Sequence, residues 1–166
     1  IRDPIMSNMI TIGISDMKVV KGGEQLVTYA LGSCVGICLY DPLRKVGGLG
    51  HIMLPKYPAG NPKENKYRFA DTCITEMLRE MERLGASRAQ LTAKIAGGAK
   101  MFEVSGDSAF GNIGQRNVMA VRAMLAYEKI PIKAQDTGLN YGRTLYFTTD
   151  DGVMTIKSFA NGVKVY

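Results

Sequence analysis

The residues best suited to covalent chemistry are a cysteine in a glycine-rich segment and a single histidine. Cys34 lies within Leu31-Gly32-Ser33-Cys34-Val35-Gly36, and His51, the one histidine of the chain, follows 17 positions later. A cysteine becomes a strong nucleophile when a base takes its proton, and imidazole is the side chain suited to this near neutral pH. The pair predicts a cysteine hydrolase in which His51 is the base.

The two residues are expected to meet across a β-hairpin. Apolar runs on either side of Asp41-Pro42-Leu43-Arg44 predict two strands, 35–40 and 47–54, because Asp and Pro are favoured at the first two positions of a β-turn. If the second and third residues of that segment are the central turn residues, Cys34 lies directly opposite His51. Directly opposed residues share a face, with Cβ atoms roughly 5 Å apart. A register that differs by one residue would place them on opposite faces.

The residues around Cys34 have two possible roles. Gly32 and Gly36 can adopt unusual backbone dihedrals and let a substrate backbone come close. Backbone N–H groups at this strand start, including those of Ser33 and Cys34, can stabilise the oxygen of a tetrahedral intermediate. The alternative is a tight strand entrance around a small buried cysteine, since free cysteines are often buried and inert.

A third residue is expected to hold the imidazole of His51 through its other nitrogen. The candidates in the same predicted sheet are Thr28, Ser33 and Asp41. Asp41 is assigned to the turn, and an extended Ser33 would point away from Cys34. Thr28 fits the geometry, but these residues alone do not choose among the three.

The other cysteines and the second glycine pair indicate no further site. Cys38 lies deeper in an apolar strand and Cys73 on the apolar stripe of a predicted helix, so both are expected in the core. Cys34 and Cys38 have one histidine beyond them and no second cysteine pair, which argues against a structural metal. The segment Gly97-Gly98-Ala99-Lys100 lacks the spacing of a phosphate-binding loop and predicts a strand-to-helix turn.

Hydrophobic periodicity predicts a single α/β domain over residues 9–166, after a tag or disordered lead-in at 1–8. Hairpins at both ends argue against a doubly wound parallel sheet. They favour mixed, mostly antiparallel sheet layers in a sandwich-like arrangement, flanked by two main helices. The predicted strands are 9–20, 25–30, 35–40, 47–54, 90–95, 130–135, 143–149 and 153–159, and the predicted helices are 69–84 and 117–127.

Composition narrows the class of protein. The chain is 46% hydrophobic and 22% charged, as is ordinary for a globular domain, and it has no apolar run long enough to insert in a membrane. Three cysteines without an export signal favour the reducing cytoplasm. The net charge is +6, but the basic residues are dispersed and no aromatic–basic motif occurs, so nucleic-acid binding is not expected.

Several motifs in order resemble one family over about Gly13 to Phe159. The segments Thr28–Pro42 and Gly47–Pro55 are similar to the chemoreceptor glutamine deamidase family of bacterial and archaeal chemotaxis, CheD. Further matches are Ala93–Met101, Ile113–Asn117, Ile130-Pro131-Ile132, Asp136-Thr137-Gly138 and Gly142-Arg143.

The resemblance implies a reaction and a set of site residues. The family hydrolyses the side-chain amide of particular glutamines on the cytoplasmic helices of chemoreceptors, which yields glutamate and ammonia. Its nucleophile falls on Cys34, its histidine on His51 and its threonine on Thr28, and it needs no cofactor. It also binds a CheC-type phosphatase, which implies a monomer or a heterodimer with CheC. The open alternatives are a binding regulator of CheC, a receptor methylesterase and another Cys–His hydrolase.

Overall fold

The computed structural model describes residues 9–101 and 112–166, and over these ranges it confirms an α/β sandwich-like fold. The predicted lead-in at 1–8 lies outside the described residues. The strands are β1 (Met9–Thr11), β2 (Asp16–Lys21), β3 (Gln25–Leu31), β4 (Val35–Asp41), β5 (Val46–Ile52), β6 (Thr92–Gly97), β7 (Ile132–Thr137), β8 (Arg143–Thr148), β9 (Val153–Ser158) and β10 (Gly162–Val165). The helices are α1 (Ala70–Arg83) and α2 (Ile113–Tyr127), with short 3₁₀ turns at Lys66–Arg68 and Arg88–Gln90.

The strands form two mixed five-stranded sheets. The first sheet has the order β1-β3-β8-β9-β10 and the second the order β2-β5-β4-β6-β7. In each sheet one pair is parallel, β1 with β3 and β6 with β7, and the other pairs are antiparallel. The structure therefore agrees with the predicted mixed, mostly antiparallel layers.

Two apolar clusters hold three layers together. The first lies between the helices and the second sheet, and the other lies between the two sheets. Strands β4 and β5 contribute to both clusters, so every one of their residues is buried. Cys34, Cys38 and His51 belong to the layer between the sheets, whereas Cys73 on α1 packs in the helix layer.

The β4–β5 hairpin corrects the predicted register. Gly36, not Cys34, lies opposite His51, because the turn contains the four residues between the paired Asp41 and Val46. The Asp41 carboxylate accepts hydrogen bonds from the N–H groups of Leu43 and Arg44 at 3.0 and 3.1 Å, which stabilises this longer turn. The turn is two residues longer than expected, and side chains alternate with a period of two. Cys34 and His51 therefore still face the same layer.

The prediction of one strand over 9–20 is wrong. The chain breaks after Thr11, so that β1 joins the first sheet and β2 the second. Ser15, with φ +61°, lies in the break. A two-residue periodicity does not reveal which sheet a strand joins, and both halves have it.

The remaining differences concern element ends and one unpredicted strand. Strand β10 has four exposed residues and thus no alternation of buried positions to predict it. Helix α2 begins at Ile113, four residues before the predicted start, where the sequence has few apolar residues. Helix α1 agrees with its predicted stripe, and its buried residues include Cys73, Met77 and Met81.

Candidate active site

Cys34 lies in the bend between β3 and β4, where the chain passes from the first sheet to the second. Three consecutive carbonyl groups of this bend accept hydrogen bonds from outside it. Gly32 O accepts from Ala99 N at 2.9 Å, Ser33 O from Asn117 Nδ2 at 3.0 Å, and Cys34 O from Gly98 N at 2.8 Å. These contacts hold the backbone of the bend on both sides of the cysteine.

The Gly97-Gly98 pair allows that close approach. Gly97 has φ +112°, and a Cβ at this position would overlap the carbonyl oxygen of Cys34. Gly97 is the last residue of β6 and Gly98 is the next; the connection to α2, where the sequence predicts a strand-to-helix turn, lies partly outside the described residues. The two glycines therefore let the end of β6 pack against the backbone of the bend that contains Cys34.

The Cys34 thiol is half-buried and packs against the layer between the sheets. Burial raises the pKa of this thiol, and a hydrogen bond from its own backbone N–H opposes the increase. The resting form at neutral pH is therefore the thiol, which needs a base to become a nucleophile.

His51 is fully buried on β5 and bonds to Thr28 on the facing sheet. Its Nδ1 lies 2.6 Å from Thr28 Oγ1, and Thr28 Oγ1 donates to Ile12 O at 2.7 Å. A hydroxyl carries one hydrogen, and here the Ile12 carbonyl takes it, so Thr28 Oγ1 must accept from His51. The hydrogen between the two side chains is therefore on Nδ1, and the neutral ring keeps a lone pair on Nε2.

That second nitrogen is in a state suited to a base. Nε2 is buried and has no hydrogen-bond partner among the residues described. Burial lowers the pKa of His51 from 6.5 to about 4, so the ring is neutral at physiological pH. A general base must be unprotonated before it acts, and this environment keeps it so.

The structure thus brings two of the three predicted residues into contact and sets the third nearby. Thr28 and His51 are hydrogen-bonded across the two sheets. Cys34 comes two residues before Gly36, the partner of His51, just beyond the paired end of β4 at Val35, and it packs against the same layer. Among the described residues, no hydrogen bond joins its thiol to His51 Nε2.

The two glycines beside Cys34 differ from expectation. Neither is among the residues with positive φ, and in this region Ala30 has that conformation, with φ +58°. A Cβ on Gly36 would lie 2.8 Å from Leu145 Cδ1, so close packing of the two sheets requires glycine there. A Cβ on Gly32 would lie 3.2 Å from Met101 Cγ, so the half-exposed Met101 side chain packs over this side of the bend.

The remaining candidates have structural roles. Asp41 holds its turn and accepts a hydrogen bond from Ser87 N at 2.8 Å. Cys38 and Cys73 are buried, as predicted, and burial raises the pKa of both thiols, that of Cys73 to about 12. Ser33 contributes its backbone carbonyl to the contact with Asn117.

Sequence reasoning missed Asn117 as a residue of this site. It is fully buried on α2 and donates to both Ser33 O and Met53 O. The signal in the sequence was an amide side chain four positions before Val121, a spacing that places both residues on the same face of the helix. A polar residue on the apolar face of a helix indicates a specific hydrogen-bond partner.

Within 9–101 and 112–166, no group of three or more His, Cys, Asp or Glu side chains is arranged to hold a metal ion. Over the same ranges, no helix has the length and apolar character needed to cross a membrane.

Comparison with known proteins agrees with the resemblance seen in the motifs. The chain matches the family described as CheD chemotactic sensory transduction over residues 53–158. Proteins named "Probable chemoreceptor glutamine deamidase CheD" are 44% identical in Syntrophomonas wolfei, 49% in Lachnoclostridium phytofermentans and 48% in Caldanaerobacter subterraneus. The alignments cover 96%, 92% and 95% of this chain and 99%, 95% and 98% of those proteins, respectively.

Among solved structures, the hypothetical protein YfiH of Bacillus licheniformis is 15% identical, with a TM-score of 0.39 over 70% of this chain and 47% of that one. This score is too low to indicate a shared fold. The family match and the relatives, which align over nearly their whole length, decide the assignment: the chain belongs to the CheD family.

Proposed function

We propose that this protein is a protein-glutamine deamidase that hydrolyses glutamine side-chain amides on chemoreceptors in the cytoplasm. Cys34 is the nucleophile, His51 the general base, and Thr28 the residue that orients the imidazole. The observation that carries the proposal is the hydrogen-bond chain from His51 Nδ1 through Thr28 to Ile12 O. It leaves Nε2 as the unprotonated nitrogen in the layer that Cys34 also faces. Relatives named for this activity support the substrate class.

The reaction begins from a neutral pair. Burial raises the pKa of Cys34 and lowers that of His51, which disfavours a preformed thiolate and imidazolium. His51 Nε2 therefore takes the thiol proton as the sulfur attacks the glutamine Cδ. A C–S bond forms, and the carbonyl electron pair moves to the oxygen.

Backbone N–H groups of the bend stabilise that oxygen. A trans peptide directs its C=O and N–H to opposite sides. The carbonyl groups of Gly32 and Ser33 are held by Ala99 and Asn117, so the N–H groups of Ser33 and Cys34 point the other way. These two donors form the oxyanion hole in the proposal.

The intermediate then collapses to a thioester. Protonated His51 gives its proton to the leaving nitrogen, which departs as ammonia, and the C–N bond breaks. Water attacks the thioester with His51 again as base, and this releases glutamate and restores the thiol. Thr28 supports the transient imidazolium with a neutral oxygen, which stabilises the charge less than a carboxylate would.

Substitution of the two reacting residues tests the proposal. Cys34→Ala and His51→Ala should each lower ammonia release from a purified chemoreceptor cytoplasmic fragment at least about 100-fold, as is typical when a nucleophile or base is lost. Cys38→Ala is the matched control, because that buried thiol lies on the same strand face but has no part in the reaction. Full activity of either site variant would refute the assignment.

Mass spectrometry of the same fragment separates the alternative reactions. Deamidation replaces an NH2 group with OH and raises the mass slightly, whereas hydrolysis of a methyl ester removes a CH2 unit and a peptidase cuts the chain. A mass loss in place of the small gain would favour the methylesterase.

The proposal also includes a CheC-type phosphatase as partner, with the protein as a monomer or a CheC heterodimer. This part rests on the family resemblance. Sedimentation of the Cys34→Ala protein with and without CheC should show a heterodimer. If that variant activates the phosphatase but the wild type releases no ammonia, the protein is a binding regulator.

A further inference from the structure

Asn117 is a buried polar residue that contacts the bend of Cys34 and takes no direct part in the proposed reaction steps. Its side-chain amide donates from Nδ2 to Ser33 O at 3.0 Å and to Met53 O at 2.9 Å. Asn117 Oδ1 is buried and has no hydrogen-bond partner within the described ranges. An apolar residue of the same shape would leave no such unpaired oxygen, so packing alone does not explain an amide here.

The two acceptors lie just beyond the adjacent ends of β4 and β5, close in sequence to the two reacting residues. Ser33 directly precedes Cys34, and Met53 lies two positions after His51. The pairing of β4 with β5 ends at Val35 and Ile52, so both carbonyls lie just beyond the last paired residues. One amide group therefore connects the two strand ends where the sheet hydrogen bonds stop.

The contact with Ser33 also sets the direction of a catalytic N–H group. Ser33 O and Cys34 N belong to one planar trans peptide, so the N–H points away from whatever holds the carbonyl. That N–H belongs to the residue that carries the reacting sulfur, so it lies beside the reacting atom. The carbonyls of Gly32 and Cys34 accept from backbone N–H groups, and the carbonyl of Ser33 accepts from the Asn117 side chain. Of these three contacts, it is therefore the one with Ser33 that a substitution can remove.

We propose that Asn117 is a positioning residue that orients the Ser33–Cys34 peptide, so that the Cys34 N–H faces the oxygen of the tetrahedral intermediate. Its second bond, to Met53 O, keeps that peptide aligned with the end of β5. The inference rests on the proposed deamidase function, and it assigns Asn117 no contact with the substrate.

The two reactions of Cys34 separate this role from a structural one. Amide hydrolysis passes through an oxyanion, whereas alkylation by iodoacetamide does not. Loss of the amide should therefore lower kcat on the order of 10- to 100-fold, a fraction of the effect of deleting an oxyanion donor outright, with KM little changed. The limiting alkylation rate at high pH, where the thiol is fully ionised, should stay within a few-fold of wild type.

The experiment uses the full chain and two variants, Asn117→Leu, which keeps the volume, and Asn117→Ala, which avoids a new branched side chain. Val121→Ala is the matched control, because it removes a fully buried side chain from the same helix without any polar contact. Thermal unfolding verifies folding, and ammonia release from a purified chemoreceptor cytoplasmic fragment and iodoacetamide alkylation are measured for each protein.

A selective loss of kcat in the Asn117 variants, absent from Val121→Ala, supports the proposal. Three results would overturn it: unchanged kcat, an equal fall in deamidation and limiting alkylation, or an equal loss in the Val121 control. Failure of both Asn117 variants to fold also overturns it, because the amide would then serve stability. A wild-type protein that releases no ammonia would instead refute the deamidase function. Ammonia release by the wild type is therefore measured before that of any variant.

Discussion

Replacement of Thr28 by valine removes one hydroxyl group with little change of shape, and it tests how the neutral form of His51 is set. The hydroxyl donates to Ile12 O at 2.7 Å and accepts from His51 Nδ1 at 2.6 Å. Thr28 and His51 are fully buried, so no solvent replaces the lost contacts. Without the hydroxyl, no acceptor holds the hydrogen of the neutral ring on Nδ1. The tautomer with hydrogen on Nε2 becomes available, and in that tautomer Nε2 cannot act as the base.

The size of the effect follows from these two bonds. A buried polar group left without a partner costs about 1–3 kcal/mol, so leaving both Ile12 O and His51 Nδ1–H unpaired predicts a decrease in the free energy of unfolding of roughly 2–6 kcal/mol. The imidazolium formed during attack also loses its acceptor. If the loss of that one contact costs about 1–3 kcal/mol in the transition state, kcat should fall about 5- to 150-fold, at 1.36 kcal/mol per factor of ten.

The single histidine makes the tautomer directly measurable. In protein labelled with ¹⁵N-histidine, all imidazole signals come from His51. We expect a protonated Nδ1 and an unprotonated Nε2 in the wild type at pH 7, and a mixture or the reverse in Thr28→Val. Ammonia release from a receptor fragment gives the matching kcat.

Thr28→Ser is the control, because it keeps the hydroxyl and should keep both the tautomer and most of the activity. A wild-type protein with hydrogen on Nε2 at pH 7 would refute the reasoning. So would valine and serine variants with equal kcat.

Two further predictions concern stability. Because the pKa of His51 falls from 6.5 to about 4 on folding, the unfolded chain binds more protons between these values, and the free energy of unfolding should rise with pH across that window by about 3 kcal/mol. In urea titrations the difference between wild type and His51→Gln should change in this window, and a constant difference would contradict the lowered pKa. Gly36→Ala places a Cβ 2.8 Å from Leu145 Cδ1 and should destabilise the fold by about 1–3 kcal/mol; in a Leu145→Ala background, where that contact is absent, the same substitution should cost less. Gly13→Ala, where a Cβ meets no atom within 4 Å, should leave the urea midpoint nearly unchanged; equal midpoints for all these proteins would refute the packing role of Gly36.

The hairpin shows how far local reasoning reaches. Turn residues and apolar runs correctly predicted that β4 and β5 pair and that Cys34 and His51 face one layer. The exact register was wrong by two residues, because the side chain of Asp41 stabilises a four-residue turn. Pairing depends on turn length, and several lengths suit the same residues.

The first strand and Asn117 show where local reasoning ends. The break between β1 and β2 sends similar residues to different sheets, and it leaves the Ile12 carbonyl within reach of Thr28. Asn117 is a single polar position on an apolar helix face, and its acceptors are 84 and 64 positions away in the chain. The periodicity of apolar residues indicates which positions are buried, but it does not indicate which distant segment supplies the hydrogen-bond partner of a buried polar residue.

The sequence alone singled out Cys34 and His51 as the candidate nucleophile and base, because a chain with one histidine offers one imidazole, and local glycines and apolar runs favour Cys34 as the reactive cysteine. It also narrowed the orienting residue to three candidates. The tertiary structure decided which nitrogen of His51 carries the hydrogen, because that depends on Thr28 giving its own hydrogen to Ile12. Such an assignment requires three segments from two facing sheets to meet in one buried layer, and their side-chain hydrogen bonds exist only after the layers have packed.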